Sequence, residues 1–321
     1  MARARTVRPT DLVALVAYDG RVYPNEAVTR DRVGTTTSPH PLEAALEQWF
    51  SFATGRHTWI SIKGATLRGL VSARRRGSNA AWEIDCLIDA AEDDPGVLMS
   101  LLDQVAADAG RAGAEKVFLR VAATSDLVRT ACSSGFAVYL TERLLAAGTE
   151  RERAALADGE GRDIVFRRWS RADAEPTFRL YNRWTPEPVR RIEAATFREW
   201  LAARERVSPT RGAYQQVAEG DGRIVGWLRA AAAGENGRFD LMADPSMPEL
   251  LDPLIGTALA RLHEQSTALT LAPEFAVGLR ERLEERGFTE QGEFAVLARR
   301  TTRTVAVQQL APVAPVQFFP A

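Results

Sequence analysis

The amino-acid sequence contains an internal repeat, and this repeat constrains the possible fold more strongly than composition does. Four short matches occur in the same order in both halves of the chain: "TVRPTD" (6–11) with "IVFRRWSRAD" (164–173), "LRGLVSARR" (67–75) with "RIVGWLRAA" (223–231), "EIDCLID" (83–89) with "RFDLMAD" (238–244), and "SSGF" (133–136) with "ERGF" (285–288). Each copy is about as long as one typical domain. A chain of 321 residues therefore reads as two related domains.

Each copy shows the same order of predicted elements, β-α-α-β-β-β-α-β-α-β. In the first copy the expected elements are a strand at 5–8, helices at 12–17 and 41–52, a hairpin at 58–62 and 67–74, a strand at 81–88, a helix at 98–112, a strand at 116–121, a helix at 125–134 and a last strand at 136–145. Strand-helix-strand crossovers require a mixed sheet covered by helices. The predicted fold class is therefore α+β, with a mixed, mostly antiparallel sheet in each copy.

The repeat also predicts the domain limits. The first domain is expected at 1–145 and the second at 164–300, with a charged, glycine-containing linker at 146–163 between them. We expect two cores, and the linker suggests that each domain could fold alone. Residues 301–321 form an apolar, proline-containing tail, expected to be extended and to dock through Phe318 and Phe319 on its own domain or on a protein partner.

Composition excludes several classes of function. The net charge is −1, so there is no global electrostatic case for nucleic acid or an acidic membrane, and no apolar run reaches the length of a membrane span. The two cysteines, Cys86 and Cys132, are expected to be buried free thiols, which indicates a reducing cytoplasm. The three histidines are scattered without metal-ligand spacing, so we expect no metal.

The element order, with a Gly-Phe pair before the last strand, resembles the GNAT superfamily of acyl-CoA N-acyltransferases. Two copies joined head to tail resemble the tandem arrangement of that superfamily. The resemblance covers nearly the whole chain and implies use of acetyl-CoA or another acyl-CoA. It also implies where the cofactor would bind, because in the superfamily the central strand ends in a gap whose backbone holds the pantetheine arm. In this sequence the gap corresponds to Leu87, Ile88 and Asp89 in the first copy and to Met242, Ala243 and Asp244 in the second.

The loop that follows the gap wraps the pyrophosphate in the superfamily, through glycines and inward-pointing N–H groups. In the first copy this loop carries Glu92, Asp93 and Asp94, with Gly96 as its only glycine. In the second copy Gly256 and Thr257 resemble the end of the motif. Before them come the prolines and acids of the same loop: Pro248, Glu249, Asp252 and Pro253. Both loops occupy the position of a phosphate loop without its chemistry.

The resemblance implies that a carboxylate on the central strand acts as general base. The candidates are Glu83, Asp85 and, in the second copy, Asp240. Such a carboxylate in a cleft could take a proton from an attacking amine. The alternative is a structural role, hydrogen-bonded to a neighbouring strand, and the tyrosine that often serves as general acid is replaced by Ala131 and Leu283.

Substrate selectivity in this superfamily tends to come from the segment between the first two helices. In the second copy this segment contains Tyr181, Arg183 and Trp184, which could bind a carboxylate or an aromatic acceptor. The alternative is that the aromatic side chains pack under the sheet while the arginine is solvated.

The sequence therefore leaves two functions open. The first is an N-acyltransferase that moves an acyl group from acetyl-CoA or another acyl-CoA to an amine, either a small molecule or a protein N-terminus or lysine. The second is a catalytically inactive GNAT-like protein with a binding or assembly role.

Overall fold

A computed structural model describes residues 5–6, 24–33, 56–64, 66–76, 80–91, 94–149, 164–203, 213–233 and 235–301. The expected helices at 12–17 and 41–52 lie outside these residues, as do Glu92, Asp93, most of the linker and the tail from 302 onwards. The expected docking of the tail therefore stays a prediction. The first linker residues, up to Gly148, belong to a strand.

The described residues form twelve strands and seven α-helices. The strands are β1 Arg5–Thr6, β2 Arg56–Lys63, β3 Thr66–Arg75, β4 Ala81–Asp89, β5 Lys116–Ala122, β6 Ala137–Gly148, β7 Val165–Arg168, β8 Tyr214–Gly220, β9 Arg223–Ala233, β10 Asn236–Ala243, β11 Thr267–Pro273 and β12 Thr289–Arg300. The helices are α1 Pro95–Arg111, α2 Leu127–Ser133, α3 Ala174–Trp184, α4 Glu187–Glu193, α5 Phe197–Ala203, α6 Leu251–Arg261 and α7 Val277–Glu285. The predicted order of strands is confirmed wherever the chain is described. The second half, however, has three helices, α3, α4 and α5, between β7 and β8, where two were predicted.

Local sequence explains where these elements begin. A short turn before α3 is a capping box, in which Asp173 accepts a hydrogen bond from Ser170 N at 2.7 Å. Two hydrogen bonds of 2.8 Å from Arg167 lower the pKa of Asp173 to about 2. In the hairpin between β8 and β9, Asp221 and Gly222 both have positive φ, as a tight turn of this kind requires.

All twelve strands belong to one sheet, in the order β1-β2-β3-β4-β5-β12-β6-β11-β10-β9-β8-β7. The pairs β4–β5 and β10–β11 are parallel, and the other pairs are antiparallel. The fold class is therefore the predicted one, a mixed and mostly antiparallel sheet flanked by helices. No helix in the described ranges is long and apolar enough to cross a membrane.

The last strand of each repeat pairs with the opposite half. β12 lies between β5 and β6, and β6 in turn pairs with β11. The expectation of two self-contained halves is therefore wrong at the level of strand pairing, although the domain limits along the sequence stay a prediction. Both β6 and β12 are long strands, and each runs antiparallel to the strands that it pairs with in the opposite half. Each therefore covers a strand edge that would otherwise be exposed.

Each half has its own apolar core, and the exchanged strands complete both. The first core contains Trp59 and Trp82 and is joined by Ala295 and Leu297 of β12. The second core contains Phe239 and Leu254 among its buried residues and is joined by Leu145 of β6. Neither core is complete with the residues of one repeat alone.

The two cysteines differ in burial. Cys86 is partly buried in β4, and Cys132 is exposed on α2, so the expectation that both are buried is wrong for Cys132. On the short helix α2 only Leu127 and Ala131 are buried, which leaves Cys132 on the outer side. Neither cysteine forms a disulfide.

Candidate functional site

The first half has a cleft where β4 and β5 separate. The two strands pair only over three positions at their beginnings, ending at Glu83 opposite Phe118. Beyond this point residues 24–29 lie between the strands, and we call them the cleft segment. The cleft segment occupies the place where the superfamily resemblance puts a cofactor arm.

Backbone hydrogen bonds hold the cleft segment to both sides of the cleft. Glu26 N donates to Leu87 O of β4, and Val28 N donates to Arg120 O of β5, each at 2.9 Å. Ala27 between them is 3% exposed and belongs to the first core. The cleft segment therefore bridges β4 and β5 through backbone hydrogen bonds, as a short additional strand would.

The side chain of Asn25 fixes the start of the cleft segment. Its amide nitrogen donates to Asp85 O at 3.0 Å, and its amide oxygen accepts from Leu87 N at 2.9 Å. The same oxygen accepts from Ala27 N at 3.0 Å. One amide thus satisfies three backbone groups that separation of the strands would leave without partners.

We expect Asn25→Ala to lower the free energy of unfolding by about 1–3 kcal/mol, because it leaves buried backbone groups without hydrogen bonds. Urea unfolding of the full chain measures the change. The control is Gln291→Ala, which removes an exposed amide and should change stability by no more than about 0.5 kcal/mol. Equal stability of both variants would contradict the attachment of the cleft segment.

The residues predicted to hold the cofactor in the first half are already engaged. Leu87 has both backbone groups bonded to the cleft segment. Ile88 is in register with Leu70 of β3, and Asp89 accepts a hydrogen bond from Ala91 N at 3.0 Å. The first cleft is therefore closed by the chain itself.

Glu83 and Asp85 are held by arginines inside this closed half. Asp85 is 1% exposed, lies at a register shift between β3 and β4, and forms an ion pair of 2.5 Å with Arg56. Burial raises the pKa of Asp85, although the charges of Arg56 and Arg74 oppose the shift. Glu83 accepts a hydrogen bond of 3.1 Å from Arg74. These contacts favour the structural alternative for both carboxylates.

The second half has an open pocket at the corresponding place. β10 and β11 pair only over 236–238 and 267–269 and then separate, and a pocket of about 180 Å³ lies there. We call it the central pocket. Its walls come from β6, β9, β10 and β11 in the sheet, from α3, α4, α5 and α7, and from Arg30 and Arg76 of the first half. The pocket is therefore built by both halves.

Aromatic side chains form much of the central pocket. Tyr181 and Trp184 of α3, which the sequence proposes as substrate-binding, both line it. The Tyr181 ring lies 6.2 Å from Trp200, and the Trp184 ring meets Phe275 edge-on at 6.3 Å. With Trp227 from β9, these rings give an apolar wall suited to a flat ring or an alkyl chain.

A network of four charged residues joins the halves beside the pocket. Arg30 contacts Glu142 of β6 and donates to Asp240 of β10 at 2.9 Å. Glu142 is 1% exposed and also accepts from Arg120 Nε at 2.9 Å. We call Arg30, Arg120, Glu142 and Asp240 the bridging network.

The bridging network changes the chemistry expected of Asp240. Burial acts to raise the pKa of Asp240, but the charges of Arg30, Arg238 and Arg229 outweigh it, and the pKa is lowered. A carboxylate with a lowered pKa is a poor proton acceptor near neutral pH. β9 and β10 pair without a register shift, so Asp240 lies directly opposite Arg229. The geometry therefore favours Asp240 as a fixed charge in the pocket wall.

Arg183, the third residue proposed to bind substrate, does not line the central pocket. Its guanidinium donates to Asp244 at 2.7 Å and to Ile224 O at 2.8 Å. Arg183 therefore fixes the loop after β10 to the neighbouring strand. Of the proposed cofactor residues in this half, Met242 lines the pocket, and Ala243 is buried opposite Gly226.

Most backbone N–H groups of the loop at 244–250 already form hydrogen bonds within the protein. Asp244 accepts from Ser246 N at 3.1 Å and from Met247 N at 2.8 Å, and Leu250 N donates to Met247 O at 3.1 Å. Asp244 N itself donates to β9, and positions 245 and 248 are prolines. A phosphate-binding loop needs several N–H groups that point at the anion. In this loop the N–H groups of residues 244, 246, 247 and 250 already donate to other groups of the protein.

Gly256 and Thr257 lie inside a helix, not in the loop where the sequence comparison puts them. They are the sixth and seventh residues of α6, which runs Leu251–Arg261, and Thr257 donates back to Pro253 O at 2.9 Å. The first turn instead carries Asp252, paired with Arg286 at 3.2 Å. Both residues therefore lie beyond the first turn of α6, where a helix presents its unpaired N–H groups, and their role in cofactor binding stays a prediction.

Coenzyme A does not fit the described residues of either half. The first cleft holds the cleft segment, and the second has a loop with most of its amides engaged and an acid in the first turn of α6. Among the described residues, no group of His, Cys, Asp or Glu is arranged to hold a metal ion.

Sequence reasoning missed Arg229, Trp227, Trp200 and Arg30 as pocket residues. Trp227 and Arg229 are two residues apart on β9, so both point to the same face of the sheet. This spacing could have identified the two side chains as neighbours on one face of the sheet. Arg30 carried none, because only the exchanged topology brings it to β6 and β10.

Comparison with known proteins supports the fold. No known protein-family profile matches the chain, and no curated protein sequence does. A GCN5-related N-acetyltransferase from Sphaerobacter thermophilus is similar in structure over 92% of this chain and 95% of its own, with 15% identity and a TM-score of 0.53. A tandem GNAT protein from the clavulanic acid biosynthesis pathway covers 95% of this chain and 100% of its own, with 12% identity and a TM-score of 0.51. This chain therefore has the tandem GNAT fold.

Proposed function

We propose that this protein binds a small molecule in the central pocket and that its first half supports this site without holding a cofactor. One observation carries the proposal. The separated strands of the second half open into a pocket with aromatic walls, whereas those of the first half are bridged by the cleft segment.

The size of the central pocket limits its ligand. A cavity of about 150 Å³ in another protein holds one benzene molecule, and this pocket has about 180 Å³. A single six-membered ring with a short substituent fits that space. The first half contributes Arg30, Arg76 and Glu142 to the walls, so it takes part in the site by building it.

A second candidate function is N-acyl transfer from an acyl-CoA to an amine, either a small molecule or a protein N-terminus or lysine. It is favoured by the position of the pocket, which lies where the central strands separate and where the resembled superfamily places the acyl group. The engaged amides of loop 244–250 count against it. For either function we propose a cytoplasmic protein, supported by two cysteines that form no disulfide.

Thermal unfolding of the full chain with added compounds tests the proposal. We expect monocyclic compounds such as phenol, benzyl alcohol and benzoate to raise the melting temperature, because they stabilise the folded state that binds them. Acetyl-CoA at millimolar concentration should leave it unchanged. Ala203→Trp should remove the stabilisation, because Ala203 lines the pocket.

The matched control is Ala202→Trp, which makes the same substitution at the preceding residue of α5, outside the pocket lining. It should retain binding. Binding that survives Ala203→Trp would contradict the central pocket as the site. Stabilisation by acetyl-CoA would instead support the second candidate.

A further inference from the structure

Two polar groups in the central pocket have no partner among the residues that the structure describes. Arg229 is 9% exposed, and no described residue forms an ion pair or a hydrogen bond with its guanidinium. Tyr181 is 7% exposed, and its hydroxyl is buried without a hydrogen bond. Buried polar groups are nearly always paired, so the Tyr181 hydroxyl needs an explanation. The guanidinium of Arg229 is a cation in the pocket lining without a described acid at ion-pair distance.

The other charged residues that line the pocket are already paired. Arg30 is bonded to Glu142 and Asp240, and Arg76 is bonded to Glu193 at 3.0 Å. Every acid in the lining therefore has a basic partner at ion-pair distance. Arg229 is the basic residue of the lining that is not used in these pairs. Its charge acts on Asp240 from the opposite strand position, but only at longer range.

Resting on the function proposed above, we infer that the ligand of the central pocket is a small monocyclic acid whose carboxylate binds Arg229. The ring packs against the aromatic wall, and the hydroxyl of Tyr181 gives a second polar contact. A guanidinium fits a carboxylate with two parallel hydrogen bonds, and such charge-assisted pairs are the strong ones in a partly buried site.

The state of Tyr181 agrees with this inference. Burial raises the pKa of the Tyr181 hydroxyl well above its ordinary value, and the charge of Glu193 adds to the shift. The hydroxyl therefore keeps its proton at physiological pH and can donate to an acceptor on the ligand. A donor and a cation in one apolar pocket select for an acid over a neutral or basic ring.

The competing explanation is that Arg229 serves only as a distant counter-charge for Asp240. Arg238 allows the two explanations to be separated. It is equally buried, it lies two residues before Asp240 on β10, and its charge also lowers the pKa of Asp240, but it does not line the pocket. Removing either arginine changes the field at Asp240, whereas only Arg229 can contact a ligand.

The test is calorimetric titration of the full chain with phenylacetate and benzoate, each compared with its neutral amide, phenylacetamide or benzamide. We expect the acids to bind at least about tenfold more tightly than the amides. Arg229→Gln should abolish this preference, and Arg238→Gln should keep it. Tyr181→Phe should weaken phenylacetate binding several-fold without lowering the melting temperature of the ligand-free protein, because the lost hydroxyl has no partner among the described residues.

The outcomes separate this inference from the proposed function. Equal binding of acids and amides would overturn the inference and leave the pocket as a ligand site. Loss of the preference in both arginine variants would also overturn it, since a field effect would then suffice. If Arg229→Gln does not fold, the Tyr181→Phe result decides, and unchanged phenylacetate binding would overturn the proposed contact. No binding of either series would overturn the inference and the proposed function together.

Discussion

Replacing Glu142 by Gln is expected to lower the free energy of unfolding by about 3–5 kcal/mol, because it removes the carboxylate that pairs with buried Arg120 and leaves that guanidinium without a counter-charge, whereas Arg30 keeps its pair with Asp240. Glu142 is 1% exposed and its partner Arg120 is 6% exposed. An unpaired guanidinium at Arg120 cannot be solvated without opening the sheet between β5, β12 and β6. Urea unfolding measures the loss.

Glu290→Gln is the matched control. Glu290 pairs with Arg143 at 3.2 Å, but both side chains are exposed, so the change should cost no more than about 1 kcal/mol. The comparison separates the effect of burial from the effect of losing a carboxylate. Similar losses for Glu142→Gln and Glu290→Gln would show that the bridging network is solvated.

The same variant should change the pH dependence of stability. Burial acts to raise the pKa of Glu142, but Arg120 and Arg30 outweigh it, and the folded pKa is lowered. A group with a lowered folded pKa stabilises the protein above its unfolded pKa, about 4.3 for Glu, and this contribution is lost as the pH falls through the folded pKa. Acid unfolding should therefore be shallower for Glu142→Gln than for the natural chain.

The sequence was sufficient to predict the order of the strands, although not the third helix between β7 and β8. The repeat, the turn signals and the apolar spacing predicted β2 to β6 with small errors at the ends, since these signals are local. For example, the helix expected at 98–112 is α1, Pro95–Arg111, which starts at the proline that suits a first turn. Local signals do not report which edge a strand pairs with, so the exchange of β6 and β12 was not predictable from them.

The candidate site was only partly predictable for the same reason. Tyr181 and Trp184 lie on one helix close to the repeat signature, and sequence reasoning proposed both. Closure of the first cleft by Asn25 and Glu26 depends on contacts with residues about 60 positions away, for which the sequence has no periodic signal. Gly256 and Thr257 were misplaced because a motif match fixes spacing, whereas the start of a helix depends on the residues before it.

Separating the two halves is expected to abolish cooperative folding of each. We expect fragments 1–149 and 164–321 to show no cooperative unfolding transition alone and to regain one when mixed in equal amounts, as followed by circular dichroism. The physical reason is the exchange: without β12 the first core lacks Ala295 and Leu297, and without β6 the second lacks Leu145. Each fragment would also expose an unpaired strand edge, which favours association or aggregation.

The control is a chain with a protease site in the linker, within 150–163, cleaved after folding. This chain is cut in the same region as the separate fragments, but the cut is made after β6 and β12 have taken their places in the sheet. It should stay associated on a sizing column and keep the full transition, because β12 remains between β5 and β6. A cooperative transition for fragment 1–149 alone would mean that β6 can fold back onto β5 in place of β12. The exchange would then be one of two accessible pairings, selected by the covalent link between the halves.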